Sequence, residues 1–171
     1  MNFKLKMALI SIASSLAVVA VPMSASAHAM HDEVSQPNII ETAVSINQKS
    51  GEFSTLIAAV SCTNLINRLQ NEDRNFTVFA PTDAAFAKLG LNAGNVCASF
   101  DEDTLQNILE YHISRGTKLA EDILSRNKLR MLNGERAPIS GATIAGQNII
   151  MTDVEASNGV IHVIDGVMIA N

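Results

Sequence analysis

A chain of 171 residues, 47% of them hydrophobic, is long and apolar enough to bury one core, which excludes an intrinsically disordered protein. A formal charge of −5 at pH 7 excludes nucleic acid or an anionic membrane as a partner drawn in by overall charge. Aromatic residues amount to 4% and Trp is absent, so branched aliphatic side chains supply most of the packing.

The first apolar run reads as a targeting segment. Lys4 and Lys6 form a basic start, Met7 to Val21 carries no charge, Pro22 breaks the run, and Ala25-Ser26-Ala27 offers the small residues of a cleavage site. The run is shorter than the ~20 residues of a membrane span. Residues 1–27 are therefore expected to be a cleavable signal peptide, with export to the periplasm or the medium. Removing Lys4 and Lys6 leaves ten basic against 17 acidic residues, a net of −7. Residues 28–37 read as a flexible lead-in. His28 and His31 lie there; with a free amine they would make a copper-competent set, but a polar tail is the simpler reading.

From Asn38 onward the elements follow in order. Asn38 caps a helix with Glu41 three residues on, and Gly51 stops it. Phe53, Leu56, Ile57 and Val60 recur at helical spacing, and Thr63 starts a further helix with Leu65, Ile66 and Leu69. Phe76 to Ala80 is a β-branched and aromatic run, hence a buried strand that Pro81 ends. Thr82 or Asp83 caps a short helix over Ala84 to Leu89, and Gly90 to Ser99 is a loop holding Cys97. Acids at Asp101 to Asp103 precede a helix whose apolar face runs through Leu105, Ile108, Leu109, His112 and Ile113. Leu119 to Leu124 is another short helix. Beyond Leu129 the rhythm is that of strands. Asn133-Gly134 marks a hairpin, and Asn148 to Val154, Val160 to Ile164 and Val167 to Ile169 are strand-like, with Asp165-Gly166 as a tight turn. Helices first and strands later mean α+β rather than a doubly wound sheet. The two cysteines, Cys62 and Cys97, both lie in the exported part and read as a disulfide, the alternative being two buried thiols.

Three segments carry a resemblance. Thr77-Val78-Phe79-Ala80-Pro81-Thr82-Asp83-Ala84-Ala85-Phe86 resembles the first hallmark of fasciclin (FAS1) domains. Asn158-Gly159-Val160-Ile161-His162-Val163-Ile164-Asp165 resembles the second, and Tyr111-His112 is similar to the family's Tyr-His pair. The resemblance spans residues 38–171, one copy of the domain. It implies a β-wedge or sandwich of about seven strands flanked by short helices, with the hallmark segments side by side in the core. It also implies an extracellular adhesion or matrix-interaction module, with carriage of an apolar pigment such as a carotenoid as the alternative. The partner so implied is a cell-surface or matrix protein or polysaccharide, and multivalency would require weak self-association.

The hallmark residues Thr77, Phe79, Pro81, Thr82, Asp83, Phe86, Tyr111, His112, Gly159, His162 and Asp165 are read as structural. His112 and His162 sit among apolar residues, where histidines hydrogen-bond to backbone and fix packing. Two histidines without a third neighbouring ligand make a poor metal site. No nucleophile elbow, phosphate loop, dinucleotide fingerprint or zinc-protease motif is present, so no catalytic residue, cofactor or metal is assigned. Asp122-Ile123 resembles the Asp-Ile segment by which animal fasciclin domains engage integrins, and it is the candidate partner contact. The same pair at a helix start is also ordinary capping and packing.

Overall fold

A computed structural model describes residues 36–169. The expected signal peptide and most of the lead-in, including His28 and His31, lie outside these residues. Helix α1 (Ile39–Ser50) opens with a reciprocal cap. The Asn38 side chain accepts from the Glu41 N–H, and the Glu41 carboxylate accepts from the Asn38 N–H, both at 3.0 Å. It closes at Gly51, whose φ of 71° is the left-handed geometry that only glycine adopts without strain.

Helices α2 (Ser54–Ser61) and α3 (Leu65–Leu69) follow. Thr63 does not start α3 as expected; its hydroxyl turns back to the Val60 carbonyl at 3.0 Å. Strand β1 (Phe76–Pro81) is buried along its whole length, and Thr82 caps α4 (Asp83–Ala87) by accepting from the Ala85 N–H. Cys97, expected in a loop, sits on the short helix α5 (Val96–Ser99). A disulfide joins it to Cys62 at the end of α2, with Cα atoms 6.0 Å apart. A closed loop of this span restricts the unfolded chain by roughly 3–4 kcal/mol in the chain-entropy account.

Helix α6 (Glu102–Glu110) ends earlier than its apolar periodicity suggests, because Ile113 leaves the helix to open strand β2 (Ile113–Arg115). That strand pairs antiparallel with β1, Ile113 opposite Val78. Pairing with a strand remote in sequence overrides a helical pattern that local spacing alone would extend. After α7 (Ala120–Leu124) the chain is a succession of strands: β3 (Lys128–Arg130), β4 (Arg136–Ser140), β5 (Thr143–Ile144), β6 (Gln147–Ala156) and β7 (Gly159–Ile164). The hairpin at Asn133-Gly134 forms, with a five-residue connection over 131–135 instead of a two-residue turn. Val167 to Ile169 is not a strand: the Met168 N–H donates to the His112 ring at 2.9 Å, not to a sheet neighbour.

The seven strands run in the order β2-β1-β7-β6-β5-β4-β3. Only β1 and β7 are parallel neighbours; every other neighbouring pair is antiparallel. The two outer strands bend toward each other. The Ser114 hydroxyl donates to the Arg130 carbonyl at 2.8 Å, and the Leu132 N–H donates to the Ile113 carbonyl at 2.7 Å. The result is the expected wedge, with α1 to α6 packed over one face of β1 and β7 and α7 packed against the inner cluster, an α+β arrangement.

Alternation along β1 and β7 divides the core in two. Val78, Ala80, Ile161 and Val163 face a cluster beneath the helices that includes Phe53, Leu65 and Phe86. Phe79 and Ile164 face the inside of the wedge with Ile123, Ile144 and Met168. Among the described residues no buried side-chain nitrogen or oxygen lacks a hydrogen-bond partner.

Candidate functional site

The two hallmark segments are brought together by the parallel pairing of β1 with β7, from Phe76 opposite Gly159 to Pro81 opposite Ile164. Gly159 is required at its position. A Cβ there would stand 1.9 Å from the Phe76 carbonyl oxygen, and its φ of 149° disfavours any other residue. Asn158 just before it is fully buried. Its side-chain oxygen accepts from the Ile39 N–H at 2.9 Å and its side-chain NH2 donates to the Leu69 carbonyl, so it ties α1 and α3 to the start of β7. The sequence places Asn158 in a hallmark segment but does not mark it as a structural tie.

His162 stacks on Phe79 with ring centroids 5.5 Å apart. Its Nδ1 accepts from the Asp153 N–H at 3.2 Å, which leaves Nε2–H to donate to the Lys118 carbonyl at 2.9 Å. Asp153 reaches it from an irregular stretch of β6, where the backbone has a φ of 58° and the register with β7 shifts. His112 has the opposite tautomer. Its Nε2 accepts from the Met168 N–H at 2.9 Å and its Nδ1–H donates to the Ile108 carbonyl at 2.7 Å. Burial pushes its pKa down to about 4, and burial likewise lowers His162. Both rings are neutral, with both nitrogens engaged by backbone, so neither has a lone pair for a metal or for proton transfer.

The other hallmark residues are also held by the fold. Thr77 is fully buried; its hydroxyl donates to the Gly116 carbonyl at 2.7 Å and accepts from the Lys118 N–H at 2.9 Å. Asp83 differs from expectation. It does not cap its own helix, which Thr82 does, but accepts from the Ser54 and Thr55 N–H groups at 3.2 and 2.8 Å, capping α2 across 28 residues of chain. A carboxylate at the positive end of a helix, with two backbone donors, is a stabilising placement. Phe86 and Pro81 are buried, and Tyr111 packs inside the wedge, where burial and then Glu135 raise its phenol pKa. Asp165 accepts from the Asn148 N–H and side-chain amide, the bonds that hold its carboxyl below the ordinary range.

Asp122 and Ile123 part company. Ile123 has no exposed surface and belongs to the inner cluster, whereas Asp122 and Leu124 are exposed on α7. Of the proposed contact pair, only Asp122 is accessible to a partner in the folded state. Among the described residues no group of three or more His, Cys, Asp or Glu side chains is placed to hold a metal ion.

Apolar cavities lie among the described core residues. One of about 50 Å³ sits between α1, α2 and β1, and one of about 100 Å³ is lined by Phe86, Phe100 and Val167. Pockets that enclose small-molecule ligands run to about 300–1,000 Å³, so a carried pigment would need the helices to open.

The wide concavity is elsewhere and is lined by basic side chains. A groove of about 580 Å³ runs between the end of β2 and the β3–β4 hairpin, lined by Arg115, Lys118, Arg126, Lys128, Arg130 and Arg136. Sequence reading did not pick out these residues. The available signal was Lys128-Leu129-Arg130, where charge alternates with a buried leucine, together with Arg136 beyond the Asn133-Gly134 turn.

The sequence pattern of the Fasciclin domain matches residues 51–170. The chain is 39% identical over 137 residues to the "Uncharacterized protein sll1735" of Synechocystis sp., covering 78% of this chain and 98% of that protein. It is 36% identical over 122 residues to transforming growth factor-beta-induced protein ig-h3 of Sus scrofa, covering 68% of this chain but 18% of that longer protein. Among solved structures, the FAS1 domain pair of the insect cell adhesion molecule Fasciclin I shares the fold, with a TM-score of 0.59 at 21% identity. The match covers 80% of this chain and 52% of that one. Among the described residues no helix is long and apolar enough to cross a membrane.

Proposed function

We propose that this chain, which belongs to the fasciclin domain family, is an exported, non-catalytic module for adhesion or matrix interaction. The observation that carries the reading is the state of the hallmark residues. Both histidines are neutral and fully engaged by backbone, and the paired hallmark strands are buried throughout. Side chains so enclosed hold the fold and leave recognition to the surface. The name of the insect cell adhesion molecule sharing this fold agrees with that reading.

A protein partner has an available surface where α7 meets β6. The Ala120 N–H donates to the Asp153 carboxylate at 2.8 Å, and the two elements so joined present exposed Leu124, Ile150 and Met151 together with Asp122. Exposed apolar residues of this kind are available to an interaction partner. The test is attachment of native cells with the gene deleted. Adhesion to a surface or to other cells is expected to fall and to return when purified protein is added. Unchanged attachment would overturn the proposal.

A further inference from the structure

We propose that the cationic groove between β2 and the β3–β4 hairpin is a binding site for an acidic polysaccharide, a chain bearing carboxylate or sulfate groups. This inference rests on the adhesion reading and names the partner class of one surface. The first argument is segregation. Ten Lys and Arg residues lie beyond the first 27, in a chain with 17 acids, yet six of the ten line this one groove. Arg115 also lines an adjoining hollow with Arg68 and Arg74. The one ion pair among the described residues, Arg68 with Glu110, includes none of the six. None of the six is held in a direct ion pair among the described residues, although Asp122 lies near Lys118.

The second argument is that the arrangement opposes stability. Arg130 stands directly opposite Arg136 across the β3–β4 pair, and like charges in that position repel. Both alternate with buried neighbours, Leu129 and Ala137, so the cations share the outer face of the hairpin. On the facing wall, Lys118 has its ammonium pKa lowered by burial and then by the nearby Arg126, with Asp122 opposing. Arg126 and Lys118 donate to the backbone carbonyls of Asp122 and Arg115, but Arg115, Lys128, Arg130 and Arg136 have no side-chain hydrogen bond among the described residues, and an anionic ligand would relieve their repulsion.

The third argument selects the ligand. No aromatic side chain lines the groove, which disfavours single-stranded nucleic acid, since that binding relies on bases stacked on rings. Leu129 and Met131 are buried and Leu132 is half-buried, so no fully exposed apolar side chain lines the groove for insertion into a bilayer. The outer edges of β2 and β3 are already engaged with each other through Ser114 and Leu132, so an acidic peptide has no free edge there to extend as a strand. A flexible sugar chain with repeated negative groups needs only donors along a concave track. Arg side chains bind carboxylate and sulfate in paired hydrogen bonds, and five of the six groove cations have exposed side chains.

The segment bearing Arg115 and Lys118 is fixed from below. Thr77 holds Gly116 and Lys118, and His162 holds the Lys118 carbonyl. The buried hallmark residues thereby set the position of one wall of the groove.

Binding of the full chain to alginate and to dextran sulfate, with neutral dextran as reference, tests the proposal. Both acidic polymers are expected to bind and to be released by salt, and neutral dextran is not. The triple variant Lys128→Gln, Arg130→Gln, Arg136→Gln is expected to bind them about tenfold more weakly or worse. Arg115→Gln on the opposite wall gives a smaller loss, and Lys49→Gln, outside the groove, gives none. Cooperative melting at or above the wild-type temperature shows that the variants fold; should the triple variant not fold, Arg115→Gln and Arg126→Gln singly decide. Equal binding of neutral dextran, or wild-type affinity in folded groove variants, overturns the site. Tighter binding of single-stranded DNA, poly-glutamate or anionic vesicles than of either polysaccharide overturns the ligand class. If cells lacking the protein attach poorly while neither polysaccharide binds, adhesion stands and this proposal fails.

Discussion

The paired hallmark strands and the β3–β4 hairpin are built from the same kind of element and put to opposite ends. In β1 and β7 every residue is buried, and the polar side chains among them each have partners in the fold. In β3 and β4 exposed charges alternate with buried aliphatics, and two arginines oppose each other. The first region maximises packing and hydrogen bonding. The second accepts repulsion that packing does not need. The contrast teaches that the family's signature residues identify the architecture, while the chemistry available to a partner lies on a part of the sheet carrying no signature.

If that contrast holds, damage to the hallmark region should act on stability and damage to the hairpin should not. Phe79→Ala removes a ring with no exposed surface that lies between the His162 ring and the inner cluster. A loss of about 3–5 kcal/mol is expected in denaturant unfolding; a loss under about 1 kcal/mol would show that the wedge interior is not a packed core. Opening the Cys62–Cys97 bridge with Cys62→Ala, Cys97→Ala should cost roughly 3–4 kcal/mol. Free-thiol labelling of the native, oxidised protein would refute the bridge itself.

Acid sharpens the same comparison. His112 has a folded pKa of about 4 against an ordinary 6.5, so the folded state binds fewer protons than the unfolded chain between those values. Its contribution is fully present above pH 6.5 and is lost as pH falls toward 4, an effect on the order of 3 kcal/mol. His162 is shifted in the same direction and acts with the same sign. Melting temperatures recorded between pH 7 and 4 should fall in wild type and fall less in His112→Asn; equal slopes would mean that His112 is not held neutral.

Asp83→Ala tests a smaller tie, the cap that the β1–α4 junction provides for α2. A cost of about 1–2 kcal/mol is expected, read from the denaturant midpoint. Arg130→Thr is expected to do the reverse. Relief of the facing Arg136 and a strand-favouring side chain should raise stability by about 0.2–1 kcal/mol. Measurable destabilisation would show that the hairpin arginines support the fold, and the contrast between the two regions would break.

Much of the architecture was legible because it is local. The Asn38–Glu41 cap, the Gly51 stop, the buried run from Phe76 and the helix start at Asp101 each depend on residues within a turn or two of one another. The structural reading of His112 and His162 could be made from their apolar neighbours. What misled the reading was competition from distant partners. The helical pattern through His112 and Ile113 was real, but Ile113 gains more by pairing with Val78. Val167 to Ile169 has strand composition, yet the Met168 N–H is already engaged by His112. Asp122-Ile123 does not divide into an exposed and a buried residue from sequence, because spacing does not say which side of a five-residue helix faces the core.

The sequence by itself determined the α+β class, the order of most elements, the family and the absence of a recognisable catalytic motif. These follow from short-range periodicity, capping and motif order, which need no knowledge of what packs on what. Tertiary structure alone decided that Asp83 caps α2, that β1 and β7 lie side by side, and that six cations from β2, β3, β4 and the 116–127 segment line one groove. The reason is that charge adds linearly along a sequence but acts through space. A net of −5 describes the whole chain, whereas a partner meets only the face on which the fold has gathered arginine and lysine.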